Sequence, residues 1–234
     1  MCLIVQVNGI LGHEVIPWEI ESLTAAPGSK RWITVIIRSK NRYMAHAKRD
    51  KQTTHERIVR VAAKRFRERG LEGIGVADVM KEAGVTVGGF YKHFGSRDEL
   101  VVEALATAFK DLDVWEEHTT DMAQLLQNYL TEAHRDVPGT GCAMGALLGD
   151  MSRGSISARA LYTERVKRSL AFFSALLPSS RRSDKRGRAL LILSALLGAL
   201  NLSRAVSDPN LSREILHGVR EELIGLVKPG SHAG

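Results

Sequence analysis

From Thr53 onward, apolar residues return every three or four positions. Ile58, Val59, Ala62, Ala63 and Phe66 form one stripe, the spacing of an amphipathic helix with a single buried face. Arg57, Arg60, Lys64, Arg65, Arg67 and Arg69 crowd the rest of its surface, and Gly70 stops it. In the stretch "TTHE", Thr53 is expected to cap the helix start while Glu56 reaches back. A second, short helix is predicted over 76–83, with Val76, Val79, Met80 and Ala83 inward and Gly84 in the C-terminal glycine position. Thr86 can cap a third helix of about eight residues, and "SRDE", Ser96 to Glu99, is a capping box opening a fourth that runs towards Lys110.

Beyond Asp113 the pattern stays helical and becomes more apolar. It predicts helices over 121–135, 141–151, 157–177, 185–206 and 209–227, separated by the turn-forming stretches "DVPGTG", "LPSSRRSD" and "SDPN". The one strand-like run, "WITVIIRS" from Trp32 to Ser39, lies in a leading segment punctuated by Pro17, Pro27, Gly28 and Ser29. That segment does not match the helical chain after it. "MAHAKRDKQTTHERI" reads as a short basic arm entering a helix, so translation is expected to start at Met44, the alternative being a genuine accessory arm.

The expected fold class is therefore all-α: an N-terminal helix-turn-helix domain of three helices, then a larger helical domain. The boundaries are 1–43 for the atypical extension, 44–111 for the first domain, 112–228 for the second and 229–234 for a tail.

Composition narrows the function. A formal charge of +7 over 234 residues favours a polyanionic partner such as nucleic acid. Cys2 and Cys142 make neither a disulfide framework nor a metal set. The apolar run Ala189 to Leu200 is shorter than the roughly 20 residues of a bilayer span, and the N-terminus lacks a basic signal region. A soluble, cytoplasmic protein with no membrane partner is expected. Gly139, Gly141 and Gly145 do not complete a dinucleotide fingerprint. His46, His55, His93, His118 and His134 are scattered, without paired metal spacing. Glu116, Glu117 and His118 read as a solvated helix end, so neither catalysis, a metal nor a cofactor is expected.

The chemistry concentrates in "GVTVGGFYKHFGSRDEL", Gly84 to Leu100. Glycine inside a helix costs about 1 kcal/mol relative to alanine, so Gly88 and Gly89 need a reason. Two short helices joined by a tight turn, the second exposed and basic, match a helix-turn-helix whose second helix enters the major groove. Gly88 and Gly89 then clear one face so that the backbone can approach the duplex. Thr86, Tyr91 and Lys92 are candidate phosphate contacts, Lys92 and His93 reach phosphate or a base edge, and Arg97 is a candidate phosphate clamp. Phe90 and Phe94 face inward against Val79 and Phe66. Lys48, Arg49, Lys51 and Thr53 precede this unit, and the basic ones can follow the backbone or enter the minor groove.

The segment "ERIVRVAAKRFRERGLEGIGVADVMKEAGVTVGGFYKHFGSRDELVVEAL", Glu56 to Leu105, resembles the DNA-binding domain of the TetR family of bacterial transcriptional regulators. It combines turn, recognition helix and following cap in one register. Two positions depart from the family pattern. Gly75 stands where Ser or Thr commonly caps the second helix, and Val87 fills a position that is often polar, which leaves apolar contact with a thymine methyl as its means of reading a base.

The resemblance implies a homodimer whose last two long helices meet their symmetry mates. Leu190, Leu193, Leu197 and Leu200, with Ile215, Val219 and Leu223, are the expected interface, although a plain intramolecular core can use the same residues. It also implies a small-molecule inducer of unknown identity bound in the second domain. In "GTGCAMGALLGDMS", Cys142 and Met144 are candidates for a ligand-pocket wall, a thiol sensor or simple packing. The resulting reading is a ligand-responsive homodimeric repressor on a palindromic double-stranded DNA operator. An activator or ligand-independent regulator, and a helical binding protein or enzyme with a vestigial head, remain as alternatives.

Overall fold

The computed structural model describes the backbone of residues 31–178 and 185–228, and within these the side chains from Arg49 onward. The described residues contain helices and no strand. The chain divides into two compact units, Met1–Lys48 and Arg49–Gly234.

Helix α1 spans Arg31–Arg69, so Trp32 to Ser39 is helical and not a strand. A strand there has no second strand among the described residues to pair with, whereas a helix satisfies its backbone groups within the segment. The same continuity removes the expected cap at Thr53. Its hydroxyl donates instead to the Arg49 carbonyl one turn earlier, at 2.9 Å, and Glu56 accepts from Gln52. Ile58, Val59, Ala62, Ala63 and Phe66 are buried as the pattern requires.

Helix α2, Val76–Glu82, stops where Gly84 adopts φ +69°. Gly84 N–H donates to the Lys81 carbonyl and Val85 N–H to that of Met80, at 3.1 and 2.9 Å. This crossed pair is the Schellman arrangement that a left-handed residue permits. The third element is a 3-10 helix of six residues, Val87–Lys92, and not the α-helix of about eight expected. Thr86 precedes it without making a side-chain cap. Two glycines in so short a segment weaken α-helical preference, while Phe90 and Phe94 pin its inner side, their rings stacked at 5.4 Å.

Helix α3, Arg97–Glu117, starts on the expected capping box. Ser96 Oγ accepts from Glu99 N–H at 3.1 Å, and the Glu99 carboxylate accepts from Gly95 N–H at 2.5 Å. The helix passes Lys110 and runs unbroken to Glu117.

The remainder comprises α4 (Met122–Tyr129), α5 (Glu132–Asp136), α6 (Ala143–Ala146), α7 (Leu148–Met151), α8 (Ile156–Leu176), α9 (Lys185–Ala205) and α10 (Pro209–Val227). The helix expected over 121–135 is broken because Thr131 caps a new one, accepting from His134 N–H. Helix α9 packs between α8 and α10, with α3 against α8 and α4 against α10. By length and composition α9 could cross a membrane, since it extends beyond the run read from sequence. Its Ala189, Ile192, Leu196 and Leu200 are nevertheless buried against neighbouring helices.

This packing corrects the expected dimer residues. Leu193, Leu197, Leu200 and Leu223 lie in the chain's own core, while Ile215 and Val219 are half-buried against it. Of the set, Leu190 alone is exposed, at 46%. A three-to-four spacing marks a buried face without saying which partner buries it.

A buried ion pair ties α8 to α3. Arg165, 2% exposed, donates to both oxygens of Glu116 at 2.7 and 2.6 Å, and also to Asp113 and Ser169.

Candidate nucleic-acid interface

The turn and the 3-10 helix have opposed faces. Inward, Phe90 and Phe94 join Val79 and Met80 in the core. Outward, Tyr91 is 80% and Val87 52% exposed, and Thr86, Gly88 and Lys92 are exposed beside them. A tyrosine and a valine facing solvent on a fixed support are available for contact.

The two glycines have different reasons. A Cβ at Gly88 would meet no atom within 4 Å, so its outer face is open. A Cβ at Gly89 would lie 3.2 Å from Val85 Cγ1 and 3.9 Å from Met80 Cε. Gly89 is buried and lets the 3-10 helix sit close on the turn; it does not clear the outer face, contrary to expectation.

His93 and Arg97 are more constrained than expected. His93 is half-buried beside His55, ring centroids 5.9 Å apart, and its Nδ1 has no partner among the described residues. Burial first, then the neighbouring His55, Lys51 and Lys92, lowers its pKa. His55 stacks on Phe94 and pairs with Glu103 at 2.6 Å. Arg97 donates to the Leu71 carbonyl and to Glu72 and lies over the Phe66 ring. In this arrangement it ties α3 to the loop after α1. Lys51 and Thr53 are exposed on α1; the Lys48 side chain lies outside the described residues.

A cavity of about 270 Å3 opens where α1 meets the larger helical body, lined by Arg67, Asp111, Trp115, Tyr129, His134 and Cys142 among others. Arg67 is 8% exposed; its guanidinium donates to the Ala63 and Gly141 carbonyls at 3.1 and 3.3 Å and lies 3.7 Å from Asp111. His134 Nε2 accepts from Cys142 N–H at 3.0 Å, so Nδ1 carries the proton that is donated to the Tyr129 carbonyl at 2.7 Å. Burial lowers its pKa, consistent with that neutral ring. Cys142 therefore borders the cavity, whereas Met144 is 1% exposed and belongs to the core.

Sequence reading missed Arg67, Tyr129 and His134. One signal was present: Arg67 follows Ala63 by four positions, which puts a charge on the apolar stripe of α1.

A second joint lies next to it. Leu71 N–H donates to Asp150 at 3.1 Å, just after Gly70 at φ +75°.

Residues 58–104 match the family model for bacterial regulatory proteins of the tetR family. The HTH-type transcriptional repressor DhaR of Mycobacterium sp. (strain GP1) is 29% identical over 102 residues, which is 42% of this chain and 52% of that protein. The match thus spans about half the length of that relative. Solved TetR regulators share the fold. The protein from Chloroflexus aurantiacus superposes with a TM-score of 0.65 at 20% identity, covering 76% of this chain and 96% of its own. E. coli NemR in its reduced form gives 0.57 at 18%, covering 77% and 100%. With the helix-turn-helix, the capped α3 and the helical body in the same order, the chain has the fold of these solved TetR regulators, and residues 58–104 carry the sequence signature of the tetR family.

Proposed function

We propose that the protein is a homodimeric repressor that grips a palindromic operator in the cytoplasm and releases it when a small molecule occupies the cavity. The observation that carries the DNA half is the outward pair Tyr91 and Val87 on an element whose other side is fixed by Phe90 and Phe94. Tyr91, Lys92 and Thr86 then serve as phosphate contacts, Val87 meets a thymine methyl, and Gly88 lets the backbone close in. Residues 44–111 would hold the DNA and 112–228 the ligand and the second copy, with α3 shared between them.

Dimerisation is supported by a face other than the one read from sequence. Leu191 and Leu202, 55% and 57% exposed, are eleven residues apart and so fall on one side of α9. Gly198 lies between them, and Leu211 and Gly218 face outward on α10; a Cβ at either glycine would meet no atom within 4 Å. Exposed leucines alternating with small residues suit close helix-on-helix packing with a symmetry mate. Repression is the activity named for the Mycobacterium relative.

Selection from random duplex DNA tests this reading. An enriched inverted repeat is expected, with half-sites about 34–36 Å apart or a multiple of that, and it should be lost when Tyr91→Ala and Lys92→Ala are combined. Binding that is weak, salt-driven and indifferent to sequence would remove the proposal.

A further inference from the structure

The cavity between α1 and the helical body is lined, among the described residues, by one poorly answered donor and by a buried cation with a single distant carboxylate. Tyr129 is 7% exposed, yet its hydroxyl has no nitrogen or oxygen partner among the described residues, only the weakly hydrogen-bonding Cys142 thiol beside it. Burial pushes this phenol well above its ordinary pKa, so it remains a neutral donor. Arg67 has Asp111 as its one ion-pair partner among the described residues, at 3.7 Å, and that carboxylate is itself 68% exposed. Behind His134, the Arg204 guanidinium donates to the carbonyls of His134 and Arg135, while Asp136 is taken up by Arg135. Two guanidinium groups, one buried and one half-buried, thus rest mainly on carbonyl oxygens, next to a ring held neutral. Such a site favours an anion, since cations withdrawn from solvent keep much of their field when the one carboxylate among its described lining residues, Asp111, is itself largely exposed and 3.7 Å from Arg67. Ala108, Leu112, Trp115 and Ala143 supply apolar walls.

We propose that this cavity receives a small organic acid, its carboxylate held by the Tyr129 hydroxyl and the Arg67 guanidinium and its apolar body against Leu112 and Trp115. The proposal rests on the ligand-responsive reading and gives it a chemistry. It also supplies a route to DNA. Arg67 belongs to α1, and a carboxylate that draws it from Asp111 and Gly141 alters how α1 is held to the 139–141 turn. That turn is close-fitting: a Cβ at Gly139 would lie 2.4 Å from Glu68 Oε1.

The test is calorimetric titration of the full chain with benzoate, 1-naphthoate and hexanoate, each against its primary amide, followed by operator binding with each compound present. At least one acid should bind ten-fold or more tightly than its amide. Tyr129→Phe, a minimal change, should weaken that acid about ten-fold, and so should Arg67→Met, with circular dichroism confirming that both variants fold. Amides that bind as well as the acids, no loss on Tyr129→Phe, or no binding by any of the acids overturns the proposal. The two readings fail separately. Acids that bind without loosening the operator leave the ligand class standing and remove the ligand-responsive reading, whereas neutral molecules that bind and release DNA do the reverse.

Discussion

Changing Gly88→Ala separates folding from DNA binding. Gly88 is not among the glycines with positive φ, and its added Cβ meets nothing within 4 Å. The methyl group therefore costs the fold nothing and reduces the freedom of the unfolded chain, which stabilises by about 0.4–1 kcal/mol. For a chain of this size that raises the melting temperature by about 1–4 °C. On the DNA side the same methyl stands where the backbone is to approach. Losing one amide-to-phosphate hydrogen bond costs about 1.5–3 kcal/mol, and a dimer has two heads, so operator affinity should fall on the order of a hundredfold or more. Thermal melts and fluorescence anisotropy on the selected operator measure the two effects. Gly84→Ala provides the contrast: at φ +69° it incurs about 1–2 kcal/mol of backbone strain, so it should melt lower. A Gly88→Ala protein that binds its operator like the wild type would refute the close-approach argument, and one that melts lower would refute the packing.

Other expectations concern the body of the protein. Arg165→Met leaves the largely buried Glu116 side chain without its cation, Asp113 keeping Arg168 at 2.8 Å, which should destabilise by about 3–5 kcal/mol in urea denaturation; a loss under about 1 kcal/mol would mean that the pair is not formed. Leu202→Arg places a charge in the proposed dimer face and should yield monomers by light scattering without lowering helical content. Persistence of the dimer would move the interface elsewhere. His134 and His93 both have folded pKa values below the ordinary value. Stability is therefore fully present above about pH 6.5 and is lost as pH falls through the folded values, because the unfolded state takes up protons first. The urea midpoint should be lower at about pH 5.5 than at about pH 7.5, with a smaller difference in His134→Gln; an unchanged difference would clear His134.

Features set by local chemistry were legible in the sequence. Helix α10 can be placed over 209–227 from residue types alone because Asp208, Pro209 and the apolar stripe agree. Gly84 and the Ser96 box announce their turns for the same reason. What failed depended on neighbours that a local pattern does not name. Trp32 to Ser39 has strand composition but no strand partner among the described residues, Thr53 has a cap's chemistry in mid-helix, and Leu193, Leu197 and Leu200 have a spacing that serves either a core or an interface. The cavity was the least visible, since Arg67, Asp111, Tyr129 and Cys142 come from four separate stretches.

Helix α3 has a further consequence. It begins directly after the Ser96 cap beside the 3-10 helix proposed to face DNA and ends, 21 residues later, next to the ion pair with Arg165. Inserting a single residue in it would turn everything beyond by about 100° and shift it by about 1.5 Å. The length of this rod is thus a phase relation between two halves of the molecule. Sequence on either side can drift in evolution, and chimaeras can exchange whole halves across it, but only at an unchanged count of residues.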